Sequence, residues 1–245
     1  MALLQVQGVS KAYGGLMAVT DATLAIEAGS ITGLIGPNGA GKTTLFAIIA
    51  GFVAPSAGRV TFDGTDITAE PSHKRARRGL VRTFQIVQPF AGLTVRENIA
   101  VGAHLRHARR RDALDHASAI AARVGLAGSL DQPASALTVG GRKRLELARA
   151  LATGPRLLLL DEVLAGLNPA EITAMLPVLR SVVAGGVTIV MIEHVMQAVM
   201  QLCSTIFVLA QGRIIAHGAP AAIAADPTVI EAYFGAGAAA RLAHA

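Results

Sequence analysis

The chain has 245 residues, of which 52% are hydrophobic and 16% charged, and 22 Lys+Arg against 16 Asp+Glu give a formal charge of +6. That length fits one globular domain, or one with an inserted lobe, and the composition excludes a disordered chain. A single cysteine, Cys203, excludes an internal disulfide, and Met1 to Val6 lacks the basic start and apolar stretch of a secretion signal, so a cytosolic protein is expected.

A mean hydropathy of +0.51 requires a test for a membrane span. The best candidate, Val195 to Gly212, carries no charge but contains Gln197, Gln201, Ser204, Thr205 and Gln211. A helix of roughly 20 residues with that many polar groups would strand them in hydrocarbon. The span is rejected. Much of the hydropathy comes from alanine, which leaves room for a peripheral protein with a large apolar interface. No Trp and 4% aromatics supply few base-stacking platforms, so no nucleic-acid partner is expected.

In chain order, Leu3 to Val9 and Ala22 to Ile26 alternate apolar and polar residues, as antiparallel strands with one wet face do. Ser30 to Ile35 is a short apolar run of the kind buried on both faces of a parallel sheet. Directly after it, Gly36-Pro37-Asn38-Gly39-Ala40-Gly41-Lys42-Thr43 matches G-x-x-x-x-G-K-[ST], with a helix expected to start near Thr44. Glycines let backbone N–H groups turn inward onto phosphate oxygens, the helix N-terminus adds partial positive charge, Lys42 reaches the terminal phosphates, and the Thr43 hydroxyl suits Mg²⁺. Arg59 to Asp63 alternates again and extends the antiparallel flank.

The basic cluster His73 to Arg78, like a second at Arg106 to Arg111, fits a solvated helix face or loop. Attraction to anionic lipid headgroups or to an acidic surface is the functional alternative. Gln85 follows the run Leu80 to Phe84 and has an amide suited to Mg²⁺ and an attacking water. Between Val95 and Ser135 the pattern is helical, Arg96 to His107 and then Ala113 to Val124, which reads as an inserted helical lobe. Leu157 to Leu160 is a second apolar strand, and it ends in Asp161-Glu162. Ligands of open parallel sheets sit beyond the carboxyl ends of the strands, so both acids should face the phosphate loop. Asp161 fits a Mg²⁺ position, and Glu162 fits the orienter or general base for an attacking water. Val187 to Ile192 is a third buried strand, followed by Glu193-His194, and His194 is placed to contact a γ-phosphate and that water. The fold class is α/β, a mainly parallel sheet with an antiparallel β flank and an inserted helical subdomain.

Leu137-Thr138-Val139-Gly140-Gly141 opens a long helix, from about residue 138, shortly before the acidic strand. Here the sequence resembles the ATP-binding cassette family of transport ATPases, P-loop NTPases whose Leu-Ser-Gly-Gly-Gln signature binds the γ-phosphate of nucleotide held by the opposite subunit. Two registers fit, with Thr138 or Val139 in the serine place; the first keeps the hydroxyl and the spacing to Arg149-Ala150-Leu151. Val139 and Gly141 then depart from the family's third and fifth residues. The resemblance further implies that Tyr13 stacks on adenine, that Thr44 joins Gly36 to Thr43 in binding phosphate, and that Thr138 and Gly140 reach nucleotide across a dimer. It also makes Gln85 the glutamine loop, Ala165 to Asn168 a dimer-contact loop and His194 the switch histidine.

Val81 to Gln85, Leu93 to Asn98, Ala165 to Pro169, Ile192 to His194 and Glu231 to Gly235 most resemble ATPase subunits of branched-chain and hydrophobic amino-acid importers. That resemblance implies one cassette domain over residues 1–235, with its core at 1–94 and 136–235, a helical lobe at 95–135, and a short tail at 236–245. It implies ATP and Mg²⁺ as cofactors, a second ATPase subunit (homo- or heterodimer), two transmembrane permease subunits and, indirectly, a periplasmic solute-binding protein. The expected place is the cytoplasmic face of the inner membrane. Alternatives are the engine of lipopolysaccharide transport, a soluble cassette ATPase acting on DNA or ribosomes, and a simple P-loop kinase. Glu97-Asn98 and Ala165 to Pro169 favour the importer.

Overall fold

A computed structural model describes residues 2–83 and 89–235. From the N-terminus come β1 (Ala2–Tyr13), β2 (Leu16–Glu27), β3 (Ile31–Ile35), α1 (Lys42–Ile49), β4 (Ala57–Phe62) and β5 (Thr65–Asp66). Next are α2 (Ser72–Arg78), β6 (Leu80–Arg82), α3 (Val95–Ala103), α4 (Arg110–Arg123), α5 (Val139–Ala152), β7 (Leu157–Asp161) and α6 (Pro169–Ala184). The chain ends with β8 (Thr188–Ile192), α7 (Met196–Leu202), β9 (Thr205–Ala210), β10 (Arg213–Gly218), α8 (Pro220–Ala225) and α9 (Pro227–Phe234). These elements form two compact units, residues 1–72 with 188–245, and residues 73–187.

The first unit holds an antiparallel sheet in the order β2-β1-β4-β5. Val6 of β1 lies opposite Leu24 on one side and Val60 on the other, and all three are buried, so the alternation read from the sequence marks a real inner face. In the same unit β3 pairs in parallel with both β8 and β9, and β10 closes antiparallel on β9. Every residue of β3 and β8 is buried. Even their threonines are inside, and the Thr188 hydroxyl accepts from the Gly29 N–H at 3.0 Å.

In the second unit β6 and β7 run parallel, with Arg82 opposite Leu159, and α3, α4 and α5 pack on one another. Leu157 to Leu160 are completely buried. Helix α3 starts where the sequence provides a capping box: the Thr94 hydroxyl accepts from the Glu97 N–H and the Glu97 carboxylate takes the Thr94 N–H. Asn168 and Glu171 do the same for α6, with Pro169 in its first turn.

The solvated-face reading of the first basic cluster needs one correction. Arg75 is 1% exposed although its neighbours His73, Lys74, Arg77 and Arg78 are exposed, because one side of the short helix α2 faces inward. Residues 195–212 form the short helix α7 and the strand β9, and among the described residues no helix is long and apolar enough to cross a membrane.

Candidate functional site

In the first unit β3 ends at Ile35 and the glycine-rich loop turns into α1. Gly36 and Gly41 are the two places where nothing larger fits: a Cβ on Gly36 would run into the carbonyl oxygen of Leu209, and one on Gly41 into that of Ala18. Gly41 also sits at φ 102° as the N-cap, so α1 begins at Lys42, two residues before the expected start. The Lys42 ammonium folds back over the loop and donates to the carbonyls of Gly36 (2.7 Å) and Pro37 (2.9 Å). No side chain caps α1 and no acid lies in its first turn. Its first N–H groups therefore present partial positive charge to an incoming anion. Ala40 is buried, Asn38, Gly39 and Thr43 are exposed, and Pro37 and Thr44 are half-buried around this cradle.

In the second unit β7 carries the acidic pair on its last residue and the one after. Asp161 is buried and receives Nη2 of Arg82 on Oδ2 at 2.7 Å. Its backbone N–H donates to the Thr83 hydroxyl at 3.2 Å. Glu162 follows at φ +52°, a left-handed conformation that non-glycine residues rarely adopt, and the Lys143 ammonium holds its carbonyl oxygen at 3.0 Å. Arg82 and Lys143 were not singled out from the sequence. No local signal marks them, since the partners lie 79 and 19 residues away and are set by strand register and helix packing.

The expected signature also lies in the second unit. Thr138 is the N-cap of α5, its hydroxyl accepting from the Gly141 N–H at 3.1 Å, while Val139 points outward at 47% exposure. Gly140 is buried, and a Cβ there would come to 2.6 Å from Oε1 of Glu171. A cleft of about 600 Å³ brings Thr138, Gly140 and Gly141 together with Asn168 and Glu171. The expected signature and the expected dimer-contact loop thus share one cleft.

Of the other expected residues, Tyr13 ends β1 half-exposed, with the Lys11 ammonium 5.2 Å from its ring centre. His194 is exposed just past β8, next to the buried Glu193. Gln85 lies outside the described residues. Tyr233 on α9 was noted only as part of the tail, yet burial pushes its phenol pKa up, more than the Gly36 backbone pulls it down.

The fit to a nucleotide can be judged from these parts. The loop offers backbone N–H groups, an ammonium and an uncapped helix start, which suit phosphate. Thr43 and Asp161 offer the hard oxygen ligands that Mg²⁺ takes, and among the described residues no group of three or more His, Cys, Asp or Glu could hold a metal alone. Oxygens from one or two side chains plus phosphates are how Mg²⁺ is commonly held.

Comparison with known proteins supplies the rest. The profile described as "ABC transporter" matches residues 19–165. The chain belongs to that family. This cassette is an α/β ATPase that binds ATP and powers transport. A second profile, "Branched-chain amino acid ATP-binding cassette transporter", matches residues 213–239 of the cassette. The high-affinity branched-chain amino acid transport ATP-binding protein BraF of Pseudomonas aeruginosa is 40% identical, over 95% of this chain and 98% of its own. LivG of Escherichia coli K12, named for the same transport, is 38% identical over the same shares. A nucleotide-free ATP-binding cassette from an ABC transporter superposes with a TM-score of 0.88 at 30% identity, covering 96% of this chain and all of its own.

Proposed function

We propose that the cassette powers import of branched-chain or other hydrophobic amino acids, or related small amides, across the inner membrane from its cytoplasmic face. The observation that carries this reading is the similarity at both levels: full-length identity to BraF and LivG, and a match of the family's own C-terminal profile at residues 213–239. Residues 1–235 act as one cassette, with 95–135 as its helical lobe. Two copies, or one copy and a related chain, would sandwich two ATP molecules beneath two permease subunits fed by a periplasmic solute-binding protein.

The residues divide the chemistry as follows. Tyr13 stacks on adenine, while the backbone N–H groups from Gly36 to Thr44 and the Lys42 ammonium hold the phosphates. Thr43, Asp161 and Gln85 would hold Mg²⁺, which when bound supplies neutralisation of the phosphate charge. Glu162 takes the proton of the attacking water, and His194 orients that water and the γ-phosphate. Thr138 and Gly140 complete the partner's site. Leaving the loop carbonyls for phosphate costs Lys42 two hydrogen bonds to neutral acceptors and gains an ion pair with an anion.

The test is deletion of the gene in its own host, followed by uptake of radiolabelled leucine, isoleucine, valine and short aliphatic amides. The expected result is loss of uptake for at least one of them, restored by the wild-type gene and not by Glu162→Gln. Unchanged uptake of all four would overturn the proposed cargo.

A further inference from the structure

Asp161 is the carboxylate proposed to sit beside the metal, yet in this structure its charge is already balanced. Arg82 places Nη2 at 2.7 Å from Oδ2, with the two side chains 9% and 2% exposed. An arginine and a carboxylate this close usually pair through both arms of the guanidinium fork. Here, among the described residues, Nε of Arg82 is buried with no hydrogen-bond partner. The pair is dry, single-armed and incompletely satisfied, and a guanidinium cannot relieve this by losing its proton. The strand end, by contrast, is fixed without it: Thr83 donates its N–H to Leu159 at 2.9 Å, and its hydroxyl accepts the Asp161 N–H at 3.2 Å. A backbone pinned independently of the side-chain pair lets the carboxylate change partners while staying in place.

We propose that Arg82 is an exchangeable counter-cation for Asp161, occupying the carboxylate until a divalent ion carried by nucleotide displaces it. Metal alone must compete with a fixed positive charge at hydrogen-bond distance, whereas metal bound to nucleotide brings phosphate anions that compensate the released guanidinium. Arg82 would thus make the acidic strand respond to the metal–nucleotide complex and ignore the free ion. This rests on the reading of Asp161 as a metal-side residue, and Arg82 acts through Asp161 as a positioning residue.

The experiment titrates Mn²⁺ into the full-length protein, with and without saturating ADP, and reads free Mn²⁺ by its paramagnetic resonance. Arg82→Gln should tighten binding without nucleotide by at least about tenfold, since removing one neighbouring like charge from an ion site is worth a unit or more. Arg82→Lys, which keeps the charge, should stay within about threefold of wild type on the same grounds. Asp161→Asn should weaken Mn²⁺ binding in the presence of ADP and erase the gain in the double variant. Weakened binding in Asp161→Asn with no tightening in Arg82→Gln would overturn the exchange alone; unchanged binding in Asp161→Asn would overturn the metal reading with it. Should Arg82→Gln fail to fold, a crystal structure of wild type with Mg²⁺ and ADP decides. Separation of Nη2 and Oδ2 beyond about 3.5 Å, past hydrogen-bond range, is expected, and an unbroken pair overturns the exchange.

Discussion

Glu162 shows how much of the proposed chemistry depends on single residues. Its left-handed backbone, tied by Lys143, aims a half-buried carboxylate from the end of β7. Glutamine fits the same turn and keeps the side chain's shape, but it lacks the basic oxygen. Glu162→Gln should therefore bind ATP like wild type while turnover falls by about 10² to 10⁴. His194→Ala should also keep binding and lose turnover. Affinity by calorimetry beside phosphate release at saturating Mg²⁺ makes the comparison; a near-normal Glu162→Gln with a dead His194→Ala would move the principal role to the histidine. Lys42 differs in kind, because its ammonium also ties the loop through the Gly36 and Pro37 carbonyls. Lys42→Ala should lose ATP binding itself, and wild-type affinity in that variant would contradict the phosphate-loop assignment.

Elements carry their own tests. Thr94→Ala removes the hydroxyl that caps α3 and should lower stability by about 1 kcal/mol at neutral pH, read from urea unfolding. Glu97 completes that cap, and the Thr94 backbone N–H and hydroxyl hold its carboxyl below the usual 4.5. A depressed folded pKa means that its contribution is whole above about 4.5 and is lost as pH falls through the folded value, so the wild-type advantage should shrink on acidification. Cys203, packed where β3 has Gly33, behaves with the opposite sign: burial, then the Glu193 charge, push its thiol from 9.0 up to about 12. The unfolded thiol ionises first, so between about pH 9 and about pH 12 wild type should lose stability faster than Cys203→Ala; parallel curves would contradict the shift. Strands buried on both faces and the phosphate loop were legible because each is written in contiguous residues. The start of α1 was misplaced by two residues because Gly41 takes a left-handed N-cap, and the pairing of Arg82 with Asp161 was invisible because β6 and β7 meet only through register. Burial of Arg75 within a basic run was likewise a matter of which side of α2 faces inward.

For the whole molecule, the question is whether two chains share nucleotide. Thr138, Gly140 and Asn168 lie on one cleft whose helix start exposes backbone N–H groups, and Thr138 spends its hydroxyl on capping Gly141. Such a surface has a use if phosphate arrives from another subunit, so ATP should bind two chains together. Glu162→Gln protein, expected to hold ATP without consuming it, should shift toward dimer in sedimentation when ATP is added. Gly140→Asp is a poor blocking variant, since its side chain would meet Glu171 and disturb the α6 cap within the same chain. Val139 is better placed, exposed in the first turn of α5. An acid there favours the helix start, so Val139→Asp should leave the monomer at least as stable while setting a carboxylate where phosphate must dock. In the Glu162→Gln background it should abolish the ATP-dependent dimer without lowering the thermal midpoint. Equal dimerisation with and without Val139→Asp would mean that this face does not receive the partner's nucleotide.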